Sequence, residues 1–168
     1  YHAAEDAKVR SVDNLVDIYV SSVGRNSKLL LNVPPTRAGL LHDVDVARLA
    51  GMRRALDARF GAPIATSRQT QLSAMSGTTG ALSVDLAKPR RVAFVTLQEQ
   101  IAAGQHVAAW RIEGQAANGA WTPLARGTTI GHKRIVAVPA AEQTAVRVVI
   151  EQALAPVNGL RMVLHAEA

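Results

Sequence analysis

Six residues, Lys28-Leu29-Leu30-Leu31-Asn32-Val33, followed by Pro34-Pro35, do most to limit what this chain can fold into. Apolar residues on both faces suit a central strand of a parallel sheet, covered on each side. Proline cannot extend the ladder, so the strand must end at Val33. Helical periodicity flanks the run. Ser11 is a suitable N-cap for a helix over 12–23, in which Val12, Leu15, Val16, Ile18, Tyr19 and Val23 share a face. Gly24 and Asn26, both tolerant of positive φ, supply its stop. Beyond the prolines, Thr36-Arg37-Ala38-Gly39 forms a turn into a second helix. Asp43 is its expected N-cap, Val46, Leu49, Met52, Leu56 and Phe60 follow, and Gly61 with Pro63 closes it. One helix–strand–helix unit alone would expose both edges of its strand, so it calls for neighbouring strands. Burying the three leucines is worth roughly 5–9 kcal/mol.

From Ala65 the pattern changes. Ser, Thr, Gln and Gly dominate 67–80, which suggests a loop joining two bodies. After it come short β-rich stretches at 81–86, 91–97, 106–116, 121–126, 133–138, 145–152 and 160–165, divided by Gly, Asn and Pro. Asn118-Gly119 is a strong hairpin signal. The expected organisation is an α/β fragment over 1–62, a linker over 63–80 and an all-β antiparallel sandwich over 81–168.

Composition narrows the function classes. The chain has 168 residues, 48% hydrophobic and 19% charged, so it can bury a core. It contains no cysteine, which excludes disulfide scaffolds, zinc fingers and thiol catalysis. No run approaches 18 uncharged apolar residues, so no helical membrane span is expected. The formal charge of +6 comes from dispersed residues, without a basic run or aromatics for base stacking, so nucleic acid is not an expected partner. The opening Tyr1-His2-Ala3-Ala4-Glu5-Asp6 is not a signal peptide and reads as the middle of a longer protein.

No complete active site is legible. Asp13 and Asp17 share a helical face, but no histidine or apolar pocket accompanies them. Asp43 and Asp45 mark a helix start. Asp85, Glu99, Glu113, Glu142 and Glu151 are isolated in sequence. His2, His42, His106, His132 and His165 lack metal-ligand spacing, and no serine sits in a Gly-x-Ser-x-Gly elbow. Trp110 and Trp121, the two tryptophans, read more simply as core or half-core residues than as sugar platforms.

Several blocks carry a family resemblance. They are Leu15-Val16-Asp17-Ile18-Tyr19, Ser22-Val23-Gly24-Arg25-Asn26, Leu29-Leu30-Leu31-Asn32-Val33-Pro34-Pro35, Leu97-Gln98-Glu99-Gln100-Ile101, Trp110-Arg111-Ile112-Glu113 and Gly127-Thr128-Thr129-Ile130-Gly131-His132. In this order they resemble the C-terminal part of an α-L-fucosidase of glycoside hydrolase family 29, closest to the bacterial and plant branch acting on 1,3/1,4-linked fucose.

The resemblance implies the last helix–strand–helix of a catalytic (β/α)8 barrel followed by a galactose-binding-like sandwich. It further implies a retaining mechanism with two carboxyl groups about 5 Å apart. Both would stand upstream of Tyr1, so no catalytic residue is assigned here. No cofactor and no metal are expected. Asn32 and Arg37, at the C-terminal end of the expected strand where barrel active sites lie, are the substrate-binding candidates. The implied partners are a fucosylated oligosaccharide or glycan and the missing N-terminal barrel portion. Without that barrel portion, 1–62 would cover the sandwich as a helical layer or form a homo-oligomer that pairs 29–33 across subunits; the alternative function is a non-catalytic carbohydrate-binding or structural β-sandwich module. A periplasmic or extracellular location follows from the family alone.

Overall fold

The computed structural model describes residues 2–67, 73–76, 78–157 and 159–167. A 3-10 turn (Ala3–Lys8) leads to helices α1 (Val12–Ser22) and α2 (Asp43–Phe60). Ser11 caps α1, its side chain accepting from Asn14 N. The cap of α2 is His42 rather than Asp43, with the imidazole Nδ1 accepting from Val44 N at 3.2 Å. Asp43 and Asp45 instead occupy the first turn, where their charge meets the positive end of the helix dipole. The helices bury Leu15 and Val16 against Met52. Gly51 allows the close approach: a Cβ there would lie 2.6 Å from Val12 Cγ2.

The strand expected at 28–33 is not formed; no ladder partner joins it among the described residues. Its burial nevertheless alternates as a strand's does. Leu29 and Leu31 pack on the α1–α2 cluster, whereas Leu30 between them is 95% exposed. One face is thus covered by helices and the other is bare, where the sequence called for cover on both.

Among the described residues the remainder forms one antiparallel sheet of seven strands: β1 (Ala65–Thr66), β2 (Ser73–Ser76), β3 (Thr79–Glu99), β4 (Val107–Gln115), β5 (Trp121–Gly127), β6 (Arg134–Ala153) and β7 (Leu160–His165). The order is β1-β7-β3-β6-β4-β5, with β2 also pairing β3. Two short strands therefore fall inside the stretch expected as a linker. Two separate sheets are not formed, because β3 and β6 each run through both halves of the domain. Four of the expected strands are halves of these two.

The prolines explain why four short strands are expected where two long ones run. Asp85 pairs Ala145 and Arg90 pairs Gln143, so Leu86, Ala87, Lys88 and Pro89 stand opposite Thr144 alone. Further along, Val92 pairs Ala141 and Phe94 pairs Ala137, which sets Val138, Pro139 and Ala140 against Ala93. Each proline sits in a bulge, where it removes no ladder bond and the pair bends. The bent sheet encloses a single core that includes Leu82, Val95, Leu97, Trp110, Ile112, Val148, Ile150, Met162 and Leu164. At the predicted hairpin, Gly119 has φ +82° and Asn118 Oδ1 accepts from Ala120 N at 3.0 Å.

The helices and the sheet are joined at two places. After α1, Arg25 makes a backbone bridge to Arg134, Gly24 O accepts from Ile135 N at 2.8 Å, and Asn26 N donates to Lys133 O at 2.9 Å. Asn26 has φ +66°, and its Oδ1 accepts from His132 N at 2.7 Å. At the end of α2, Phe60 meets Phe94 and His165 edge-on.

Candidate functional site

Residues 29–33 form one wall of an open groove of 530 Å³, and the two helices form the other. Leu15 and Ile18 of α1, Leu49 of α2 and Leu29–Leu31 supply its apolar surface, and Asn32, Arg10, Asp45 and Arg48 its polar surface. Asn32 is exposed and lines the groove. Arg37 does not line it: it lies exposed in the turn at 37–40, which is closed by Gly39 N donating to Thr36 O and Thr36 N to Leu40 O. The two candidate residues are therefore not brought together on one surface by this chain alone.

Glu113 is the most enclosed of the described acidic groups bearing ion pairs, and both its oxygens are occupied: Oε1 by Arg111 at 2.8 Å and Oε2 by Arg147 at 2.5 Å. Burial works to raise the Glu113 carboxyl, but the hydrogen bonds from Arg111 and Arg147 outweigh it and hold it below the usual carboxylate range. An acid so held stays ionised at neutral pH and cannot act as a proton donor. Arg111 continues the ladder to Glu151 at 2.7 Å.

Glu99 is 5% exposed and serves as a loop clamp. Its Oε1 accepts from His106 N at 2.6 Å and Val107 N at 3.1 Å, and its Oε2 from Gly131 N at 3.3 Å. The sequence carried a signal for this: Val95, Leu97 and Glu99 fall on one face of a strand, and a carboxylate at an inward position needs partners.

The tryptophans are as the sequence suggested. Trp110 is 1% exposed in the core, its Nε1 donating to Thr129 O at 3.4 Å. Trp121 is half-buried, and the Arg147 guanidinium covers its ring at 4.2 Å. Trp110 therefore offers no face to a sugar, and one face of Trp121 is taken by Arg147.

Fold and site together define a two-part chain: a helical pair with an open apolar flank, docked on a bent antiparallel sheet. No family model matches it. The chain is homologous to the C-terminal third of glycoside hydrolase family 29 α-L-fucosidases. It is 29% identical over 181 residues to α-L-fucosidase 1 of Arabidopsis thaliana, covering 91% of this chain and 35% of that protein. A rice protein (Oryza sativa subsp. japonica), provisionally given the same name, is 29% identical over 182 residues, 92% of this chain and 35% of that one. A Bacteroides thetaiotaomicron structure described provisionally as an α-L-fucosidase superposes with TM-score 0.89 at 28% identity, covering 100% of this chain and 36% of that one. A Ruminococcus gnavus family 29 fucosidase, similar in fold at 21% identity and TM-score 0.77, was solved in complex with fucose, with 95% of this chain and 37% of that one covered. The chain spans about 35% of the length of the curated relatives it matches.

Proposed function

We propose that this chain is the C-terminal part of a retaining α-L-fucosidase that releases terminal fucose from glycans, with preference for α-1,3 and α-1,4 linkages. In this reading 28–33 is the last strand of a (β/α)8 barrel, and α1 and α2 belong to the barrel's outer layer. In the same reading the nucleophile and the acid/base carboxyl stand on barrel parts that precede this segment. The observation that carries the reading is the bare flank of 28–33. A strand-like segment with Leu30 bare on the side away from the helices is shaped for an apolar interior supplied by other strands.

Asn32 lies near the end of that segment, where barrel enzymes gather their active sites, and hydrogen-bonds either a sugar hydroxyl or an adjacent catalytic loop. Arg37, one turn further on, reaches toward the rest of the glycan. The sheet domain supports the barrel; the burial of Trp110 and the arginine seated on Trp121 favour this over sugar binding by stacking. The enzyme would act in the periplasm or outside the cell.

Activity tests the proposal. The complete polypeptide encoded around this segment should release fucose from a synthetic α-L-fucoside, and proton NMR should find the first-formed fucose as the α-anomer. The 168-residue segment should release none. Hydrolysis by the segment alone, or an initial β-anomer, contradicts the reading.

A further inference from the structure

A second pocket, of 400 Å³, lies on the opposite side of α1, where the helices meet the sheet. Arg25, Arg59, Arg126 and Arg134 all line it, with Asp17 as the single acidic residue. Elsewhere the described arginines of this domain are often neutralised, as Arg111 and Arg147 are by Glu113 and Glu151. None of the four pocket arginines makes an ion pair among the described residues. Arg134 is half-buried with its guanidinium carbon 5.9 Å from the centre of the Trp110 ring. Burial and then the neighbouring charge of Arg25 both work against its protonated form. Backbone pairing of Arg25 with Arg134 holds the two positive residues side by side. The fold thus concentrates four positive side chains at a concave junction against one acidic residue, Asp17, which is the footprint of an oxyanion site. Val16, Val20, Ile135 and Phe94 make the remaining wall apolar, giving the mixed lining that a substituted sugar ring requires.

We infer that this junction binds an oxyanion carried on a saccharide, of the sulfate-ester or carboxylate class, with Arg25, Arg59, Arg126 and Arg134 supplying the donors. Such a site lies apart from the 28–33 groove and does not depend on the fucosidase reading.

Calorimetric titration of the complete polypeptide at fixed ionic strength tests it with glucose 6-sulfate, glucuronate, inorganic sulfate and neutral glucose as probes. The charged sugars should bind and glucose should not. Affinity should fall about tenfold for each exposed guanidinium removed, in R25Q and in R126Q. Both side chains are exposed, so folding survives; R53Q, whose side chain pairs with Asp57 outside the pocket, is the control that should bind unchanged. Tighter binding of glucose 6-sulfate than of inorganic sulfate supports a glycan-borne anion, and equal binding overturns the saccharide part of the proposal. Absence of binding by any anion, or binding unaltered in both R25Q and R126Q, overturns the oxyanion site.

Discussion

Phe60, the last residue of α2, stands edge-on to His165 of β7, with ring centroids 5.2 Å apart and planes at 89°. Through this contact the helical pair rests on a buried imidazole. His165 is 4% exposed; its Nε2 lies 3.0 Å from Thr96 Oγ1 and its Nδ1 has no partner. A proton on Nδ1 would place an unpaired charge among aromatic rings. Burial, and secondarily the charge of Lys133, push the imidazole below its ordinary range.

A folded-state value below the unfolded one means that the unfolded chain binds more protons at intermediate pH. The stability His165 contributes is present above the unfolded value of about 6.5 and is lost as pH falls from there toward the folded value. The loss proceeds at up to about 1.4 kcal/mol per pH unit. Thermal melts from pH 8 to pH 5 should show a falling Tm, and H165Q should flatten the curve over that interval. Parallel curves for the two proteins would exclude His165 as the titrating group.

Removing the Glu99 clamp strands three backbone N–H groups. E99A should destabilise the fold by about 3–5 kcal/mol, since donors to an ionised acceptor are lost and left unpaired. E99Q, which keeps one acceptor oxygen, should cost about half as much. Urea unfolding of the two variants checks the ranking, and equal losses would show that charge alone matters.

Gly127 lies against the Trp110 ring, and a Cβ there would overlap Cζ2 and come within 2.8 Å of Cε2. The ring is locked in the core, so it cannot yield. G127A should destabilise by about 1–3 kcal/mol through overpacking. Double mutation with W110F should recover part of that loss by removing the clashing atoms; purely additive losses would place the effect elsewhere.

Much of this architecture could be read from residue pattern. The Ser11 cap, the Asn118-Gly119 hairpin and β7 at Leu160–His165 follow from local chemistry, and they stand where the sequence placed them. What failed to show was long-range. Pro89 and Pro139 looked like strand ends because proline breaks a straight ladder, yet each lies in a bulge whose tolerance depends on the partner strand's register. The arginine junction was equally hidden: Arg25, Arg59, Arg126 and Arg134 are far apart in sequence and meet only because Gly24 and Asn26 hook α1 onto the start of β6. Asn32 and Arg37 were chosen as neighbours of one strand end. Asn32 lies in the groove and Arg37 outside it, because the turn at 37–40 carries the arginine away.

The leucine run separates the two surroundings it is proposed to have. In the 168-residue segment L30D should leave stability within about 0.5 kcal/mol, since the side chain is in water already. Leu31→Ala should cost about 2–3 kcal/mol there, because Leu31 packs on the helices. In the complete polypeptide L30D should be the more damaging of the two, through a buried charge. Equal tolerance of L30D in both settings would leave the bare flank without a covering partner.

Hydrogen exchange of the amides at 29–33 in the complete polypeptide tests most directly whether this segment is the closing strand of a fucosidase barrel. The account predicts exchange as slow as that of the core strands β3 and β6, because strand neighbours would take up the backbone groups that are unpaired here. Fast exchange at those five positions, alongside protected β3 and β6, would contradict it.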